Sequence, residues 1–155
     1  MPATSKTDDL DLSPNAKRAA DLLLAAHPTV KFTSGRRGVA DQARAMAGNV
    51  VKKRKWILNT YKDTPQRKAL QKWVDDHPEA KTLAAIAAGL ASVMNDWSDA
   101  QKARLSKHFS GQAFDVQPVA GAAGTAIKKT IRALPKLNNF LEKEGGLVRW
   151  HADFG

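Results

Sequence analysis

Three short stretches alternate apolar and polar residues: VKFTSG at 30–35, QAFDVQPV at 112–119 and LVRWHADF at 147–154. They limit what this chain can fold into, because the sequence around them has helical spacing. Alternation with a period of two marks strands half buried on a sheet. The order helix, strand, several helices, strand, helix, strand predicts an α+β fold, a small antiparallel sheet packed with several helices. At 155 residues, 43% of them hydrophobic, the chain is long enough for one domain core, so a single domain over 1–155 is expected, with 1–12 a polar, flexible tail.

Helix boundaries follow from punctuation. Ser13 reads as an N-cap and Pro14 as the first helical residue of a segment that runs to Ala26 and stops at His27-Pro28. A helical pattern from Ala40 to Asn59 is interrupted by Gly48, and Thr64-Pro65 opens another segment that ends at His77-Pro78. From Glu79 to Met94, Leu83, Ile86, Leu90 and Val93 recur at helical spacing, and a short helix follows at Ser98–Ser106. GAAG at 121–124 reads as a loop, Thr125–Leu134 and Pro135–Glu144 as two helical pieces, and Gly145-Gly146 as their end. His27 and His77, each before a proline, read as boundary residues and not as ligands.

With no cysteine, thiolate ligands, disulfides and a cysteine nucleophile are excluded, so any metal must use histidine and carboxylate. No secretory leader and no apolar run long enough to span a bilayer is expected. A net charge of +10 favours polyanions, whether nucleic acid, anionic lipid or an acidic envelope polymer. KKRKW at 52–56, with Arg67, Lys68, Lys72, Tyr61 and Trp73, offers a basic aromatic surface for such a polymer. The same residues also suit a solvated helical face with its aromatics turned inward, which makes nucleic acid the less favoured partner.

The chemistry concentrates in LSKHFSGQAFDVQP, residues 105–118. On a strand at 113–117, Asp115 points to the face opposite Phe114 and Val116. His108 lies in the loop before it, which Gly111 can close. In the last strand, alternation puts Arg149, His151 and Asp153 on one side and Val148 and Trp150 on the other. Two imidazoles and one carboxylate, leaving a coordination position open, form the usual arrangement of a catalytic zinc ion, which activates water and polarises a carbonyl. By spacing alone, the same residues are equally a loop histidine, a paired carboxylate and a core histidine.

Ser106-Lys-His108-Phe-Ser-Gly111-Gln-Ala113-Phe-Asp115 resembles the Ser-x-His-x-x-Gly-x-Ala-x-Asp signature of the zinc D-alanyl-D-alanine carboxypeptidases. That family includes phage endolysin peptidases and has the Hedgehog/DD-peptidase fold. Thr33-Ser34-Gly35-Arg36-Arg37-Gly38 followed by Gln42 is similar to its Ser-Gly-Tyr-Arg-Ser segment and later Gln, and Trp150-His151-Ala152-Asp153 to its final His motif. The resemblance implies Zn²⁺ on His108, Asp115 and His151. It implies Arg37 on the developing oxyanion or a substrate carboxylate, and Ser34, Gln42 and Ser106 toward substrate. It departs at Val148, where many members carry the acid that serves as general base three residues before the last zinc histidine. Glu144 is the first candidate for that base and Asp153 the second.

The reading that follows is a zinc-dependent peptidase of bacterial peptidoglycan, of the L-alanyl-D-glutamate or D-alanyl-D-alanine type, acting as a monomer without a stable protein partner or membrane insertion. A phage endolysin would accumulate in the host bacterial cytoplasm and reach the wall after release by another protein. Two other classes stay open. One is a noncatalytic wall-binding or virion protein that keeps the metal site, and the other a basic nucleic-acid-binding protein.

Overall fold

The computed structural model describes residues 3–144 and 147–155, without the side chains of Glu144 and Leu147. It is α+β, with seven α-helices and one four-stranded antiparallel sheet among the described residues. The strands are β1 (Phe32–Ser34), β2 (Ala113–Val116), β3 (Leu137–Glu144) and β4 (Leu147–Phe154), in the spatial order β1-β2-β4-β3. The helices are α1 (Pro14–Ala26), α2 (Val39–Lys52), α3 (Trp56–Thr60), α4 (Pro65–Asp76), α5 (Leu83–Asn95), α6 (Asp99–Leu105) and α7 (Gly121–Arg132). No helix among the described residues is long and apolar enough to cross a membrane.

Two compact units are present: Met1–Arg36 with Ser110–Gly155, and Arg37–Phe109. The first carries the whole sheet. One sheet face presents Phe32, Phe114, Val116, Trp150, Ala152 and Phe154 to a core that α1 and α7 complete with Leu23, Ile127 and Ile131. Phe114 is central to it: its ring meets Phe32 edge-on at 5.3 Å and stacks on Phe154 at 5.2 Å. Truncating a phenylalanine so packed costs about 3–5 kcal/mol.

Residues 4–12, expected as a tail, are packed in this unit. Thr4 and Phe32 exchange backbone hydrogen bonds of 2.9 and 2.7 Å, and Leu10 is buried in the core. The expected loop at 121–124 is the first turn of α7, and the expected helix at 135–144 is instead β3. Leu137, Phe140 and Leu141 do have helical spacing, but a left-handed Lys136 (φ 63°) turns the chain, and eight residues then lie alongside β4. Here tertiary pairing overrides a local pattern too short to hold on its own.

The second unit is all helical, with Met46, Ile57, Leu70, Ile86, Leu90 and Met94 in its core. The helix expected over 40–59 breaks after Lys52 and not at Gly48, which packs against Leu83 of α5. α5 begins at Leu83 because Thr82 caps it, accepting from the Ala85 amide at 3.1 Å. The basic run at 52–56 is divided in use. Arg54 donates to the carbonyls of Val74, His77 and Ala80 at 2.9, 3.0 and 2.6 Å, satisfying the end of α4, while Lys55 pairs with Asp75 and Trp56 is buried.

Candidate metal centre

Register builds the site. β2 and β4 pair so that Phe114 faces Ala152 and Asp115 faces His151. Since Phe114 and Ala152 belong to the core, pleating sends Asp115 and His151 together to the opposite face. The Asp115 Oδ1 and His151 Nδ1 lie 3.0 Å apart, with Asp115 5% and His151 7% exposed.

A strand irregularity supplies the next group. Phe32 pairs with Val116 and Ser34 with Asp115, two steps along β1 for one along β2. The extra residue reverses alternation, so Ser34 leaves the Phe32 face and its hydroxyl donates to Asp115 Oδ2 at 2.8 Å. Asp115 is thereby held at both carboxylate oxygens.

His108 sits in a 3-10 turn, Lys107–Ser110, that leads directly into β2. Its amide donates to the Ser106 hydroxyl oxygen at 3.2 Å, and its carbonyl accepts from the Arg37 amide at 2.9 Å. Ser106, expected toward substrate, here orders the backbone of the histidine turn. Gly111 ends that turn with φ 75°, where an L side chain is strained and a Cβ would meet the Asp11 carbonyl at 2.9 Å. The Gly111 carbonyl accepts from the Ser13 amide at 2.9 Å, which ties the turn to the start of α1.

His108, Asp115 and His151 each offer one ligand atom, and these lie within 4.8 Å of one another. All three side chains are buried, so a polar group of this kind needs a partner to offset its desolvation. Two imidazoles and a carboxylate are a complete donor set for a metal ion, and this group could hold one. His151 also reaches Asp153: its Nε2 lies 3.1 Å from Asp153 Oδ2. With Nδ1 on the Asp115 side and Nε2 on the Asp153 side, Asp153 is placed to fix the ring and its tautomer. Neither spacing nor parity indicates that contact in advance.

The other expected residues are distributed as follows. Arg37 is half-buried, and its Nη1 donates to Gln42 Oε1 at 3.3 Å. Gln42 itself is 1% exposed, on the core side of α2. Val148 pairs with Lys143 and His151 with Leu141, three steps along β4 for two along β3. Because Leu141 and Lys143 share a face, this shift moves Val148 to the His151 side, contrary to simple alternation, where it is 60% exposed. Glu144 pairs with Leu147 near the far end of β3, and its side chain lies outside what the structure describes.

Comparisons with protein-family models, with curated proteins and with solved structures found no match.

Proposed function

We propose that the chain is a zinc-dependent peptidase acting on the peptide portion of bacterial peptidoglycan. One observation supports this above the others: three buried side chains, His108, Asp115 and His151, bring metal-ligating atoms within 4.8 Å of one another in a chain without cysteine. Imidazole and carboxylate together suit zinc, as they do other divalent ions such as Fe²⁺, and zinc is the one the resemblance implies. When bound, such an ion supplies a water of lowered pKa and a Lewis acid for the scissile carbonyl.

The protein's own residues divide the remaining work. Ser34 holds one oxygen of Asp115 and so orients the other. Asp153 holds His151 by Nε2. Arg37, tethered through its backbone to the His108 carbonyl, contributes a permanently charged fork of donors for an oxyanion or a substrate carboxylate. Val148 cannot titrate, so the proton falls to one of the two carboxylates, Glu144 or Asp153, and of these Asp153 is in contact with the site, through His151 Nε2.

The reading is tested by digesting purified peptidoglycan with zinc-loaded and chelator-treated protein and analysing the fragments by mass spectrometry. New peptide termini that appear with zinc and vanish with chelator are expected. Intact stem peptides under both conditions overturn it. Release that ignores the chelator overturns the metal.

A further inference from the structure

We infer that Tyr61, the chain's single tyrosine, is a positioning residue that anchors the Gln42 amide and through it steadies the Arg37 guanidinium. The inference rests on the role proposed above for Arg37. Its basis is a row of hydrogen bonds within the helical unit: Arg37 Nη1 donates to Gln42 Oε1 at 3.3 Å, and Gln42 Nε2 donates to the Tyr61 hydroxyl oxygen at 3.0 Å.

The chemistry of the three groups permits only this order. A guanidinium has donors and no acceptor, so the amide must turn its oxygen toward Arg37. Its NH₂ end then points the other way and must find an acceptor, because Gln42 is 1% exposed. The Tyr61 oxygen is that acceptor. Rotating the amide by half a turn would set donor against donor at Arg37, so the guanidinium fixes the sense of the amide, while the phenol oxygen satisfies its buried NH₂ and holds it in place.

Tyr61 is itself held firmly. Its ring packs edge-on against buried Trp56 at 5.7 Å, and its amide donates to the Ile57 carbonyl at 3.1 Å. Arg67 Nη1 donates to its carbonyl at 3.3 Å. The phenol oxygen is therefore a fixed point on α3 and the loop after it. Arg37, whose amide is bound to the His108 carbonyl, is fixed at the backbone, and Gln42 gives its head an acceptor.

Two experiments test this, one without reference to turnover. With one tyrosine, near-ultraviolet absorbance reports the phenol titration directly. Gln42→Ala removes a donor to the phenolate and should raise the midpoint by about half a pH unit or more. Arg37→Met should raise it in the native background and leave it unchanged beside Gln42→Ala. A midpoint indifferent to both substitutions overturns the row.

The second experiment is hydrolysis. Tyr61→Phe keeps the ring and should lower kcat about tenfold with KM little changed. In a Gln42→Glu background, either carboxylate oxygen can accept from Arg37, so no amide needs orienting and Tyr61→Phe should cost less than twofold. An equal loss in the two backgrounds makes Tyr61 merely structural and overturns the inference. Absence of hydrolysis in every protein, with the titration shifts present, would instead overturn the peptidase reading and leave the row standing.

Discussion

Asp115 and His151 stand opposite one another on adjacent antiparallel strands, 3.0 Å apart at Oδ1 and Nδ1, on the face away from the aromatic core. The contact is a consequence of register: a slip of one residue would send both into the space filled by Phe114 and Trp150. A ligand that binds only the folded state stabilises it by about 2.7 kcal/mol at a hundredfold excess over its Kd. For a chain of this size that raises Tm by about 5–10 °C. Zinc should produce such a rise and a stoichiometry near one by elemental analysis. His151→Ala should abolish both, and a variant that still bound one equivalent would remove His151 from the site.

Asp153 offers a way to separate orientation from proton transfer. If it fixes His151 through Nε2, Asp153→Ala should weaken zinc binding about 10–100-fold, the usual effect of losing such a partner. Asp153→Asn, which keeps an acceptor, should weaken it less. Competition against a chromogenic chelator measures both. Unchanged affinity with lost hydrolysis would return Asp153 to the role of base.

The sequence made the shared face of Asp115 and His151 legible because alternation in QAFDVQPV and LVRWHADF is the physical cause of that face, whereas His108, in the turn before β2, follows from no periodicity. It failed wherever a strand departs from strict alternation. Ser34 reaches Asp115 only because β1 carries one extra residue, and Val148 shares the His151 side only because β4 does. A period-two reading has no signal for such an insertion. β3 was misread for a different reason, since Leu137, Phe140 and Leu141 satisfy a helical template and only the partner strand decides between the two. Likewise the aromatics Tyr61 and Trp56 read correctly as inward-facing, but the hydroxyl contact with Gln42 depends on how α2 and α3 meet within their unit.

Acid should loosen β3 from α7 at a definite residue. The Lys128 hydrogen bond, and after it the charges of Lys128 and Arg132, hold the Glu142 carboxyl below its ordinary value. A carboxyl lowered in the folded state contributes stability above its unfolded pKa of about 4.3 and loses it as pH falls through the folded value. Urea denaturation should therefore show Glu142→Gln less stable than the native chain at pH 7, with the difference shrinking below about pH 4. A gap that stays constant with pH would show that the clasp contributes nothing through its charge. Because the Glu142 side chain is 41% exposed, the effect is expected to be small and to weaken with salt.

Val148 allows the proposed reaction to be improved and not only impaired. Register puts it on the His151 side, opposite Lys143 and 60% exposed, so a longer polar side chain there meets no packed neighbour and should alter stability by no more than about 0.5 kcal/mol. The peptidases this chain resembles carry an acid three residues before the last zinc histidine, which is this position. Val148→Glu should therefore raise kcat on peptidoglycan, by roughly tenfold or more given that a positioned general base contributes about 10²–10⁴. The rate should also acquire an acidic limb in its pH profile. Val148→Gln has nearly the same size and no titrating group, so it serves as the control. Equal rates for the two variants would mean that position 148 does not reach the reacting centre, and that the proton is moved from elsewhere in the site.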